Sequence, residues 1–352
     1  MSGAIRVLHA PVEVAGQAAL AAYGLRAVGV PAHAFARPHA YRYPVGPDIV
    51  PGPGRVAWAC EALRAARTHD VFHFYFGASF LPEALRGIDA RALRGAGRRV
   101  VVEFLGSDIR MPGIEARRNP HYVPLDHDDD ADAERRMRRW SAITGGHAIV
   151  CDRALTAFAE RCFAHVHVVP FRVDTAAFRP APPTAKDVDV PVIVHAPSRI
   201  AAKGTPHVRA AIETLRTRGA QLDYVELHGV SQEAVHEACR RADIVVDQLC
   251  SGSHGVFAVE AMSMAKPVVC NILPELVSRY PVGFPIVPAT PETIADVLGD
   301  LLARPRERHQ LGLASRAYAE RVHDVRAVAQ QLLEVYAQLP RGRFRASGGG
   351  TA

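Results

Sequence analysis

The sequence predicts an α/β protein of two Rossmann-like domains, each a parallel sheet covered by helices. Three observations lead there. Short apolar runs alternate with helix-period segments along the chain, a proline-rich break divides that alternation in two, and 352 residues exceed what one hydrophobic core usually serves.

The elements follow in order. Apolar runs at 4–9, 71–75, 99–104, 147–150 and 166–169 read as strands of the first half. Runs at 190–195, 222–227, 244–247 and 268–271 read as strands of the second. Helical spacing appears at 17–28, 133–142, 154–161, 208–218 and 233–241, and alternation on this scale implies parallel strands joined by helical crossovers. Residues 44–54 hold four prolines and three glycines and read as an exposed loop. The predicted organisation is a first domain over 1–170, a linker over 171–190 and a second domain over 191–320. A helix over 321–340 then packs back toward the first domain, and a disordered tail fills 341–352.

Composition excludes several partners. Lys and Arg total 42 against 36 Asp and Glu, and only Lys186, Lys203 and Lys266 are lysines. That bias, with abundant alanine, reads as coding composition. No basic patch interleaves with aromatic residues and no zinc-finger or RNP-like string occurs, so nucleic acid is not an expected partner. Cys60, Cys151, Cys162, Cys239, Cys250 and Cys270 contain no Cys-x-x-Cys pair, which reads as reduced thiols in a cytoplasmic protein. Arg6 interrupts the first apolar run, so that run is a strand and not a signal peptide. No stretch reaches the length of a membrane span, so any membrane contact is peripheral, to anionic lipid. The oligomeric state has no signature.

No cofactor or metal site is expected. The run Asp126-His-Asp-Asp-Asp130-Ala-Asp132 follows Pro124 and not an apolar strand, and reads as a solvated loop leading to a helix. No His-Glu-x-x-His spacing occurs.

In doubly wound sheets, ligands bind beyond the carboxyl ends of strands. The loop after 190–195 carries Arg199 and Lys203-Gly204, two cations four residues apart that suit a diphosphate; two solvated surface cations fit the spacing equally. The loop after 244–247 reads Cys250-Ser-Gly252-Ser253-His254-Gly255 and opens the apolar helix Val256-Phe257-Ala-Val-Glu260-Ala-Met-Ser-Met264. Small residues at a helix N-terminus offer amides to an anion. Glu260 is the helix's one charge and can reach a ligand at that end; the alternative is an acid favoured by the helix dipole. In the first half, Gly16, Gly106 and Asp108 follow strands. Asp108 either orients an acceptor hydroxyl or caps the next turn, and His73 is a core histidine or an acceptor contact.

The segment Gly255-Val-Phe-Ala-Val-Glu260-Ala-Met-Ser-Met-Ala-Lys-Pro267-Val-Val resembles the signature of the retaining, GT-B, glycogen-synthase-like glycosyltransferases (glycosyltransferase family 4 type). The Arg199 and Lys203-Gly204 loop resembles that family's pyrophosphate clamp, and Val169-Pro170-Phe-Arg-Val-Asp174-Thr-Ala-Ala-Phe178-Arg-Pro180 its interdomain junction. The likeness is strong over 166–271. It implies two Rossmann-like domains facing across a cleft, a nucleotide-diphosphate sugar as donor, and a glycosyl acceptor as second substrate. Arg199 and Lys203 then stabilise the leaving diphosphate. Glu260 holds the ribose hydroxyls, and Gly204, Ser253, His254, Gly255, Val256, Phe257 and Gly16 line the donor. Gly106, Asp108 and His73 fall on the acceptor side.

Two departures stand out. Gly252 replaces a glutamate that contacts the donor sugar, although relatives with a segment like Asp247-Gln248 carry glycine there, and Leu105 replaces a histidine. They keep two alternatives in view, a non-catalytic nucleotide-sugar binder and a GT-B-shaped nucleotide-sugar epimerase.

Overall fold

The protein is described as a computed structural model over residues 5–37, 45–124 and 129–341. Asp126, His127 and Asp128 of the acidic run, Pro44 of the expected loop, and residues 342–352 of the expected tail lie outside the described residues.

The chain divides into two compact units. Unit 1 comprises Met1–Arg110, Ala131–Val169 and Val328–Ala352; unit 2 comprises Met111–Asp130 and Pro170–Ala327. In chain order the first elements are β1 (Val7–Ala10), α1 (Gln17–Ala27), β2 (Ala32–Ala34), α2 (Arg55–Thr68) and β3 (Val71–Tyr75). They are followed by α3 (Ile88–Gly95), β4 (Arg99–Phe104), α4 (Pro112–Arg118), α5 (Asp130–Thr144), β5 (His147–Val150), α6 (Thr156–Ala159) and β6 (His165–Val168).

The six strands form one all-parallel sheet in the order β2-β1-β3-β4-β5-β6. Every residue of β3 is buried, as a strand covered on both faces requires. Its alternation sorts the two layers. Val71 joins the core shared with α1, while Phe74 packs on Trp140 of α5 at 5.3 Å between ring centroids.

Unit 2 continues with β7 (Val192–His195), α7 (Ile200–Lys203), α8 (Thr205–Thr217), β8 (Asp223–Glu226), α9 (Gln232–Arg241) and β9 (Ile244–Val246). Next come α10 (Val256–Ser263), β10 (Val268–Cys270), α11 (Pro274–Val277), β11 (Val287–Pro288), α12 (Ile294–Ala303) and α13 (Pro305–Val322), and α14 (Val325–Gln338) passes into unit 1 at Val328. Its sheet is also all-parallel, ordered β11-β10-β9-β7-β8. Its core joins Ile193, Ile244, Val246 and Val269 to Val208, Ile212 and Leu215 of α8 and Ile294, Leu298 and Leu301 of α12. Val328, Ala329, Leu332, Val335 and Tyr336 of α14 belong to the core of unit 1.

Both sheets carry a strand that the periodicity does not announce. β2 is three residues long and β11 two, too short to display an alternation. All six cysteines are free thiols, with Cys60 exposed. Among the described residues no helix is long and apolar enough to cross a membrane.

Candidate functional site

The clamp loop begins where β7 ends. Arg199 sits at the N-cap of α7, exposed, and forms no ion pair among the described residues. Lys203 closes α7, and Gly204 follows in the left-handed conformation at φ +76°. A Cβ there would lie 2.9 Å from Leu249 Cβ and 3.1 Å from Cys250 Sγ, so glycine lets this loop approach the next one. The buried His195 pins the base of the loop, its Nδ1 2.9 Å from the Val246 carbonyl and its Nε2 3.0 Å from Thr205 Oγ1. Burial holds its pKa below the ordinary value.

The second loop is tied down through its carbonyls. Asn271 Nδ2 donates to the Leu249 carbonyl at 2.7 Å, Asn119 Nδ2 to that of Cys250 at 3.0 Å, and the Leu273 amide to that of Gly252 at 2.9 Å. Gln248 Nε2 donates to the Ser253 carbonyl. With those acceptors satisfied internally, the loop leads into α10, whose half-buried Val256 and Phe257 supply first-turn amides that no helical carbonyl can accept.

One buried carboxylate, Asp247, joins the two loops. Its Oδ1 accepts from Lys203 Nζ at 2.8 Å and its Oδ2 from the Gly255 amide at 2.7 Å. Gln248 Oε1 accepts from the same ammonium at 2.7 Å. Lys203, Gly204 and Gly255 are therefore brought together, and the Gly255 amide is directed at Asp247. Sequence reasoning noted Asp247-Gln248 only as a segment. The available signal was a carboxylate and an amide ending an apolar strand, where both need partners.

Glu260 has partners as well. Gln232 Nε2 donates to its Oε1 at 2.8 Å and His236 Nε2 lies 3.3 Å from its Oε2, leaving the Glu260 side chain 12% exposed. Ser253 and His254 are buried, and the His254 ring lies 5.4 Å from Tyr280, 5.8 Å from Phe284 and 5.7 Å from His323. The His254 side chain therefore packs in an aromatic cluster. Gly252 has φ +70°, and a Cβ there would lie 2.9 Å from Leu273 Cγ and 3.3 Å from Asn119 Nδ2. A glutamate in the family position does not fit this backbone.

The remaining candidates lie in unit 1. Gly16 precedes α1 in the left-handed conformation, and the α1 amides of Ala18 and Ala19 donate to the buried Glu13 carboxylate at 3.2 and 2.9 Å. Asp108 is buried and accepts from the amides of Leu105 at 3.0 Å and Gly106 at 2.8 Å, which precede it, so the carboxylate ties down its own loop. Burial pushes its carboxyl up to about 6, with the backbone donors opposing. His73 is wholly buried, 2.8 Å from Tyr336 Oη through Nδ1 and 3.0 Å from Glu103 through Nε2. Its side chain belongs to the interior of the sheet.

No family model matches the chain. Over 199 residues it is 29% identical to the MMP alpha-(1->4)-mannosyltransferase of Mycolicibacterium hassiacum, a match spanning 49% of this chain and 48% of that protein. The chain thus spans about half the length of that curated relative. Among solved structures it is similar to sucrose-phosphate synthase from Thermosynechococcus elongatus, at TM-score 0.64 and 16% identity, covering 95% of this chain and 98% of that one. It is also similar to a glycosyltransferase from Rickettsia africae, at TM-score 0.60 and 11% identity over 96% and 98% of the two chains. HepE of Anabaena, solved in complex with UDP and glucose, gives TM-score 0.57 and 12% identity over 95% and 100%. The fold of this chain is that of the GT-B glycosyltransferases.

Proposed function

We propose that this chain is a glycosyltransferase that moves a sugar, a hexose or a related residue, from a nucleotide-diphosphate donor to an acceptor hydroxyl, with retention and without a metal. The observation that carries the reading is the meeting of two loops at the carboxyl ends of β7 and β9. They supply a guanidinium at Arg199 that has no ion pair among the described residues, an ammonium at Lys203 and the first amides of α10. This is a site for a diphosphate. HepE was solved with UDP-glucose, a donor of this kind.

In the proposed reaction the bond from the anomeric carbon to the diphosphate oxygen breaks, and the leaving oxygen takes the acceptor's proton. The acceptor oxygen bonds to the anomeric carbon from the same face. Arg199, Lys203 and the α10 amides stabilise the negative charge that develops on the diphosphate. Glu260 holds the ribose hydroxyls, and the acceptor binds the N-terminal half. The protein acts in the cytoplasm, with peripheral membrane contact where the acceptor is a lipid.

A second reading, a nucleotide-sugar binder without turnover, draws on Gly252, whose packed left-handed backbone leaves no room for a donor-sugar carboxylate. One experiment separates the readings. The purified chain is incubated with UDP-, GDP- and ADP-sugars and a panel of hydroxyl acceptors (free sugars, sugar phosphates and lipid alcohols) in chelated buffer while NMR follows the anomeric proton of the released or transferred sugar. Product first appearing with the donor's configuration supports transfer with retention. An inverted product, interconversion of donor sugars, or binding with no product overturns it.

A further inference from the structure

The proposed diphosphate site contains an anion of its own. Asp247 ends the apolar β9 run, is 1% exposed, and divides its two oxygens between Lys203 Nζ at 2.8 Å and the Gly255 amide at 2.7 Å. One partner, Lys203, is a group that the proposed function assigns to a diphosphate, and the other, Gly255, is the N-cap directly before the α10 amides assigned with it.

Building from charge, Lys203 has three N–H groups. Asp247 and Gln248 accept two of them, which fixes the direction of the third. The Asp247 carboxylate cancels the ammonium charge locally, so the net cation offered by the clamp is Arg199, exposed and without an ion pair among the described residues. Gly255 completes the arrangement. Its φ of −108° suits any residue, yet a Cβ on it would lie 3.3 Å from both Asp247 Oδ2 and Lys203 Nζ. A side chain there would press on the ion pair by a few tenths of an ångström.

We propose that Asp247 is a positioning residue that acts as a resident counter-anion. It aims Lys203 and occupies the Gly255 amide, and by lowering the site's net positive charge it weakens the hold on free diphosphate so that the spent donor leaves. This inference rests on the reading of these loops as a diphosphate site. It requires nothing about which base or sugar is used.

The test uses inorganic pyrophosphate as probe and isothermal titration calorimetry on the full chain at fixed ionic strength. Wild type, Asp247→Asn, Lys203→Ala and the double variant form a double-mutant cycle. Asp247→Asn removes the counter-charge and is expected to tighten pyrophosphate on the order of tenfold, and because it also releases the Lys203 ammonium the change differs between the wild-type and Lys203→Ala backgrounds. A merely structural carboxylate lowers the melting temperature and leaves the cycle additive. Unchanged or weaker pyrophosphate binding in a folded Asp247→Asn overturns the proposal, as does an equal change in both backgrounds. Should Asp247→Asn not fold, Gly255→Ala crowds the same pair without altering its charge. It is then expected to shift pyrophosphate affinity at least threefold, and an unchanged affinity overturns the proposal. Failure of wild type to bind pyrophosphate refutes the diphosphate site itself, and this inference with it. Binding that Asp247 does not influence refutes this inference alone.

Discussion

Gln232 Nε2 donates a 2.8 Å hydrogen bond to Glu260 Oε1, so the acid proposed for the ribose, midway along α10, is held from α9. The bond aims a carboxylate flanked on its helix by the buried Ala258, Val259, Ala261 and Met262. Glu260→Gln keeps an acceptor for Gln232 and removes the charge. We predict that donor affinity falls roughly ten- to a hundred-and-fifty-fold, the value of one charge-assisted hydrogen bond, with little change in melting temperature. Calorimetric titration with the preferred nucleotide sugar checks this, and unchanged affinity removes Glu260 from the ribose.

Arg199 and Lys203 are predicted to separate in stability while agreeing in turnover. Each alanine variant should lose about a hundredfold or more in turnover, the effect of withdrawing charge from a leaving group. Arg199→Ala should melt like wild type because the side chain is exposed. Lys203→Ala leaves the buried Asp247 carboxylate short of a partner and should cost about 1–3 kcal/mol of stability. Denaturant unfolding alongside steady-state kinetics tests the pair, and equal stability losses contradict it.

Gly252 is predicted to resist substitution. At φ +70° with Leu273 Cγ 2.9 Å from a new Cβ, Gly252→Ala should destabilise by about 1–3 kcal/mol, and Gly252→Glu by more. Recognition of the donor sugar then comes from elsewhere in the chain. A Gly252→Glu variant as stable as wild type is incompatible with this loop geometry.

Acid should weaken the fold through buried histidines. Burial pushes the His323 imidazole down to about 3 and His147 down to about 4, both below the ordinary value of 6.5. As pH falls below 6.5 the unfolded chain takes up protons that the native chain refuses, so stability declines from 6.5 down to the folded values and is fullest above 6.5. His323→Asn keeps a donor for the Phe171 carbonyl that His323 Nδ1 meets at 2.7 Å. It should reduce the slope between pH 6 and pH 4 by up to about 1.4 kcal/mol per pH unit. Urea titrations at stepped pH measure the slope, and an identical slope in the variant rules His323 out as a contributor.

Much of this fold is legible because its signals are local. The buried strands of both sheets and the amphipathic α8 and α9 write their burial into their spacing. β2, with Ala-His-Ala, does not, and α2 buries only Ala65, so it carries no core-facing stripe to find. The grouping of Met111–Asp130 with unit 2 is a matter of which surface a segment packs on, and Asn119 shows it through its bond to Cys250, 131 residues away. At the candidate site, residue types and order pointed to the two loops. Which anion meets which amide did not follow, because Glu13 and Asp247 act through side-chain directions that spacing does not encode.

The most direct test of the central claim is a thermal-shift panel of nucleotide-diphosphate sugars with wild type and Arg199→Ala in parallel. A ligand at about a hundred times its dissociation constant adds roughly 2.7 kcal/mol to stability, enough to rank donors. The account predicts that at least one nucleotide sugar raises the melting temperature of wild type in chelated buffer, and that Arg199→Ala loses most of that shift. No shift with any nucleotide sugar, or a shift fully kept by Arg199→Ala, would contradict it.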